Sequence, residues 1–168
     1  MEIYSENLLA EFEVDTRVFG ETAEKILVSL LGAEGEASVV FVSDEKIREL
    51  NRTYRGVDRA TDVLSFSLEG DAGSHGVIGD VYISLDTAEK QAKEFAVPLE
   101  EELLRLLIHG LLHLAGHTHD GKEDAARMRR LERLRMKEHI GAVAGGAKRR
   151  TRRRGRRPNE ERDGRRDR

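Results

Sequence analysis

Hydrophobic positions recur along this chain with two periods, and their spacing predicts where helices and strands fall. Val18, Phe19, Ala23, Ile26, Leu27, Leu30 and Leu31 follow helical spacing over Thr16–Leu31. Asp15 or Thr16 can cap that helix, and Gly32 ends it. Glu2–Tyr4 and the β-branched run Ala37–Val42 predict strands. Ser43 predicts the N-cap of a second helix to about Thr53, with Ile47 and Leu50 inward. Arg55–Ala60 is expected to be a charged loop. Alternation returns in Asp62–Leu68 and in Val77–Leu85, and the Gly-rich connection Gly70–Gly76 is short enough for an antiparallel hairpin. The pattern places Val77, Val81 and Ile83 on one side, and Ile78, Asp80 and Tyr82 on the other.

The second half is helical. Asp86 is expected to cap a polar helix to about Phe95. Pro98 opens the next, with Glu100–Glu102 at its positive end. Leucines cover nearly every face from Leu99 to Leu114, which predicts a central, buried helix. Glu123–Ile140 is amphipathic through Ala126, Met128, Leu131, Leu134 and Met136. Gly141–Ala147 reads as a flexible linker. The order of elements predicts a single α+β domain over residues 1–140. Residues 141–168 are expected to be linker and a disordered basic tail.

Charge divides the chain at the same place. The net charge is −3, but residues 148–168 hold 12 Lys/Arg and 4 Asp/Glu, a balance of +8. The remaining 147 residues therefore carry −11. An acidic body with a basic tail predicts a polyanion such as RNA as partner, with Arg149, Arg150, Arg152, Arg153 and Arg154 as contacts. There is no cysteine, which excludes disulfides and thiolate ligands, so any metal must be held by nitrogen and oxygen. Met1–Glu13 is acidic and lacks the apolar run of a signal peptide, and no run reaches the ~18 apolar residues of a spanning helix. The cytoplasm is the expected compartment.

The chemistry is concentrated in Ile108–Asp120, which reads IHGLLHLAGHTHD. His109 and His113 are four apart and share one helix face. Gly116 can break the helix and let His119 return to the same point. His117, at i+4 from His113, would suit an uninterrupted helix instead. The spacing H-x3-H-x5-H is that of the metzincin zinc signature, with one difference. Gly110 stands where those peptidases carry their general-base glutamate. One zinc ion per chain, held by His109, His113 and His119, is the expected cofactor. Three neutral ligands leave its full charge and an open position, which would lower the pKa of a bound water and polarise a phosphoryl oxygen. His75 and His139 are expected to be ordinary surface residues.

Three stretches together resemble one family. NRTYRGVDRATDVLSF at 51–66, GDVYIS at 79–84 and HGLLHLAGHTH at 109–119 are similar to the YbeY family of bacterial zinc-dependent endoribonucleases. The resemblance spans roughly residues 1–140. It implies a zincin-like domain with a small mixed β-sheet of about four strands flanked by helices. It also implies cleavage of single-stranded RNA, 16S rRNA 3′-end maturation and 70S ribosome quality control. Ribosomal RNA, the small ribosomal subunit, ribosomal proteins and an Era-type GTPase would be the partners. The family's metal-ligating histidines fall on His109, His113 and His119, and its functional arginine falls on Arg55. Arg55 can clamp a phosphate through two N–H groups, and Arg59 offers a second contact. Thr118 departs from the family's usual Asp, and Asp120 is a candidate replacement for that carboxylate. Asp62 and Asp80 are expected to be strand-end hydrogen-bonding residues. The competing readings are a zinc peptidase or amidohydrolase, and a ribosome assembly factor with a structural zinc.

Overall fold

The computed structural model describes residues 1–32, 34–68 and 76–150. His75, most of the 70–76 connection, and Arg152, Arg153 and Arg154 lie outside them. Four strands form the main sheet: β1 (Glu2–Asn7), β3 (Glu36–Val42), β5 (Val77–Ser84) and β4 (Val63–Ser67), in the order β1-β3-β5-β4. The first three run parallel and β4 is antiparallel on the edge. The helices are α1 (Thr16–Leu31), α2 (Asp44–Arg55), α3 (Leu85–Phe95), α4 (Leu99–Leu114) and α5 (Lys122–Val143). Among the described residues, no helix is long and apolar enough to cross a membrane.

Two hydrophobic layers lie on the two sheet faces. The larger joins Val39, Phe41, Val81 and Ile83 to Phe19, Ala23, Ile26 and Leu27 of α1 and to the leucines of α4. The smaller joins Val40, Val42 and Leu64 to Ile47 of α2, with Phe66 and Tyr82 beside them. α4 runs through the larger layer, and ten of its residues are buried. This accounts for its near-continuous leucine pattern, which is interrupted by a partly exposed polar stripe at Glu101, Arg105, His109 and His113.

The α+β class and the four-stranded mixed sheet agree with expectation. Several local readings need correction. Arg55 is the last residue of α2, not part of a loop. The N-cap of α3 is Ser84, whose hydroxyl accepts from the Thr87 N–H. Asp86 instead accepts from the N–H of Asp44 at 2.9 Å, reinforcing the start of α2. Ile78 joins the larger core with Val81 because the register between β3 and β5 shifts there: Glu36 faces Val77 while Ala37 faces Gly79. A one-residue bulge turns a side chain to the opposite face.

The expected 141–147 linker is structured. α5 continues to Val143, which is fully buried. A sixth strand, β6 (Ala147–Arg149), pairs antiparallel with β2 (Phe12–Val14). The Arg149 guanidinium lies over the Phe12 ring at 5.0 Å and faces Glu89 at 3.4 Å. Arg150 faces Glu13 at 3.5 Å, and its N–H donates to the Glu11 carbonyl. Ending the chain at Gly146 is therefore expected to lower stability by about 1–3 kcal/mol, since it unpairs β2 and uncovers Phe12. Denaturant unfolding of full-length and truncated protein measures this; equal midpoints would show that β6 contributes nothing.

Candidate metal centre and its cleft

α4 sets two imidazoles on one face, and the turn after it supplies a third. The Nε2 atoms of His109 and His113 are 3.1 Å apart. α4 ends at Leu114, and Gly116 takes φ +83°, a left-handed conformation that costs an L side chain about 1 kcal/mol or more. That reversal lays the His119 ring over His109, with centroids 5.1 Å apart and an interplanar angle of 23°. Ligand atoms of His109, His113 and His119 all lie within 4.8 Å of one another, as the spacing predicted. His117 and Asp120 stand outside this group.

The donor set fits a metal ion. His109 places Nδ1 2.8 Å from the Glu132 carboxylate, and with that nitrogen as the N–H donor Nε2 is the atom left to ligate, 3.1 Å from His113 Nε2. Burial, followed by the neighbouring His109 and His119 imidazoles, holds His113 below the ordinary histidine range, which favours its neutral, metal-binding form. The hydrogen bond from His109 holds Glu132 below the usual carboxylate range, against the opposing effect of burial. A carboxylate behind a ligating imidazole fixes its tautomer and raises its basicity.

Sequence reasoning missed Glu132. It lies 23 residues from His109 on another helix, and nothing local marks it. The expected stand-in, Asp120, is exposed on the turn. Glu132→Gln keeps the shape and removes the charge. It is expected to weaken metal affinity about 10–100-fold, as read by competition with a chromophoric chelator; unchanged affinity would reduce Glu132 to a packing residue.

A cleft of about 450 Å³ opens beside the imidazoles. Arg55, Thr61, Asp62, Val63, Ser65, Ser67, His109 and His113 line it. Arg55 reaches it from the end of α2, where Nη2 donates to the Ser65 carbonyl at 3.0 Å. Its guanidinium also sits over the Phe66 ring, 5.6 Å from the centroid. Asp62 is the carboxylate of this lining. It accepts from the Val63 N–H at 2.8 Å and from Gln91 Nε2 at 3.1 Å, consistent with a strand-end role. Arg105, one turn before His109, is engaged by the buried Glu102 at 2.6 Å. Arg59 is exposed and lies outside the lining. Arg149 and Arg150 have carboxylates of the same chain as their neighbours.

The model of the family described as "Endoribonuclease YbeY" matches residues 5–139. The chain belongs to the YbeY family. The YbeY endoribonuclease of Aquifex aeolicus is 47% identical over 110 residues, covering 64% of this chain and 73% of that protein. That of Pelotomaculum thermopropionicum is 43% identical over 141 residues, covering 79% and 93%. The solution structure of TM1509 from Thermotoga maritima superposes with a TM-score of 0.61 at 32% identity, covering 86% of this chain and 91% of that one. The YbeY match ends at residue 139, so β6 lies outside it.

Proposed function

We propose that this protein is a zinc-dependent endoribonuclease that cleaves single-stranded RNA. The carrying observation is the juxtaposition of three imidazole ligands with Arg55 on one open cleft. His109, His113 and His119 would hold the ion. When bound, it would supply a positive charge for a phosphoryl oxygen and an acidified water.

The chain's own residues supply the rest. Arg55 brings a permanent positive charge to the cleft, close enough to His113 to depress its protonation. Its bond to Ser65 and its stacking on Phe66 restrict the side chain before substrate arrives, so little freedom is lost on binding a phosphate. Thr61, Ser65 and Ser67 bring hydroxyl groups to the same wall. Phosphodiester cleavage gains most from neutralising negative charge. Asp62 is held by hydrogen bonds from the Val63 N–H and Gln91. The open cleft argues against a structural zinc, whose sites are closed by four ligands.

The proposed substrate is precursor 16S rRNA near its 3′ end, in the cytoplasm, with a further part in quality control of 70S ribosomes. The small subunit, ribosomal proteins and an Era-type GTPase are the proposed partners. Arg152, Arg153 and Arg154 would add phosphate contacts, as would Arg59. The test is metal analysis together with cleavage of labelled single-stranded and hairpin RNA, before and after chelation. Chelator-sensitive cutting of the single strand is expected. Intact RNA alongside metal-dependent hydrolysis of unfolded protein would move the assignment to a peptidase.

Arg55→Ala is expected to keep fold and metal and to lose on the order of 2–4 kcal/mol of barrier lowering on RNA. Equal turnover by a folded, metal-loaded variant would return Arg55 to a surface charge.

A further inference from the structure

A second cleft, also of about 450 Å³, lies on the other side of the edge strand β4. Leu50, Tyr54, Phe66, Leu68, Asp80 and Tyr82 line it, and Ser65 and Ser67 border both clefts. Two of the chain's three tyrosines meet here around Phe66. Tyr54 and Phe66 pack edge to face at 5.3 Å, and Phe66 and Tyr82 do so at 6.0 Å. Tyr54, at the outer end, is 68% exposed. The Arg55 guanidinium covers Phe66 while lining the metal cleft, so one side chain joins the two sites.

We propose that this second cleft binds an unpaired nucleobase of the RNA strand whose phosphate lies against Arg55. The proposal rests on the endoribonuclease reading above. A base has two apolar faces and a polar rim, and this cleft matches both. The exposed Tyr54 ring offers a stacking surface, which is how proteins hold single-stranded bases. Asp80 supplies an acceptor for a ring or amino N–H. Burial, followed by the charge of Asp80, raises the Tyr82 phenol above its ordinary value, so that hydroxyl remains a donor. The occupant is a base and not a peptide side chain because the connecting residue is an arginine placed for a phosphate, and because the two clefts share a rim.

The test uses metal-loaded full-length protein and a single-stranded RNA carrying 2-aminopurine, whose fluorescence falls on stacking. Tyr54→Ala removes the exposed ring, and Tyr54→Phe retains it. Rapid mixing with wild type and Tyr54→Phe is expected to show quenching before cleavage. Tyr54→Ala is expected to lose the quench and to raise KM about five- to a hundredfold. Its circular dichroism should match wild type, because the side chain is on the surface. Cleavage by Tyr54→Ala with unchanged KM and quench would overturn the base site and leave the nuclease reading intact. A Tyr54→Ala variant that keeps its RNA affinity but changes from dimer to monomer in sedimentation would give this face to a second copy, again overturning the proposal. Failure of the wild type to cleave or bind RNA would overturn both readings.

Discussion

Gly110→Glu is expected to abolish the folded state, although the substitution would place a carboxylate where zinc peptidases carry their base. A Cβ at position 110 would stand 2.6 Å from Val81 Cγ1, 3.0 Å from Ser65 Oγ and 3.3 Å from Val63 Cγ2. Those atoms belong to β4 and β5, against which α4 packs directly. The Gly110 carbonyl also accepts from the Ser65 hydroxyl at 3.1 Å, so the strand cannot simply retreat. A glutamate would add overpacking of about 1–3 kcal/mol and an unpaired carboxylate costing several more. Together these approach the roughly 5–15 kcal/mol that holds a domain folded. Gly110→Ala separates the two costs. Crowding of about 1–3 kcal/mol is partly offset by about 1 kcal/mol of helix propensity. The net cost of about 0–2 kcal/mol corresponds to a melting temperature up to roughly 8 °C below wild type. Calorimetry on the alanine variant decides; a melt above wild type would show that the helix can lift off the sheet without penalty. The position after the first histidine faces the sheet and leaves no room for a side chain.

The second large effect is loss of the metal. His109→Ala, His113→Ala and His119→Ala are each expected to lower metal content well below one ion per chain. RNA turnover should fall by on the order of a thousandfold or more, since the ion's contribution is several kcal/mol. His117→Ala is expected to keep both, because His117 is outside the group of converging ligand atoms. His119 is the decisive member. It is exposed, and it reaches the site only through the reversal at Gly116. Elemental analysis giving full occupancy in His119→Ala would replace it as a ligand.

What the sequence determined by itself was whatever depends on neighbours a few residues apart. His109 and His113 meet because a helix brings i and i+4 together, and His119 follows because a glycine can reverse the chain. The core faces of α1 and α4, and the caps at Asp15 and Ser43, were legible for the same reason. Arg55 was marked by its place in a family motif, though its position at the end of α2 was not. Tertiary structure decided the rest, where partners lie far apart in sequence. Glu132 became the support of His109 because α5 packs against α4, and no local pattern encodes that distance. The pairing of β2 with β6 joins two three-residue strands from opposite ends of the described chain, too short to show a period. Ile78 changed sides through a bulge that exists only when β3 and β5 are paired. Gly110 read as a missing base, and the sheet made it a point of closest approach. Tyr54, Phe66 and Tyr82 lie on three different elements, and only the folded sheet edge gathers them beside Arg55.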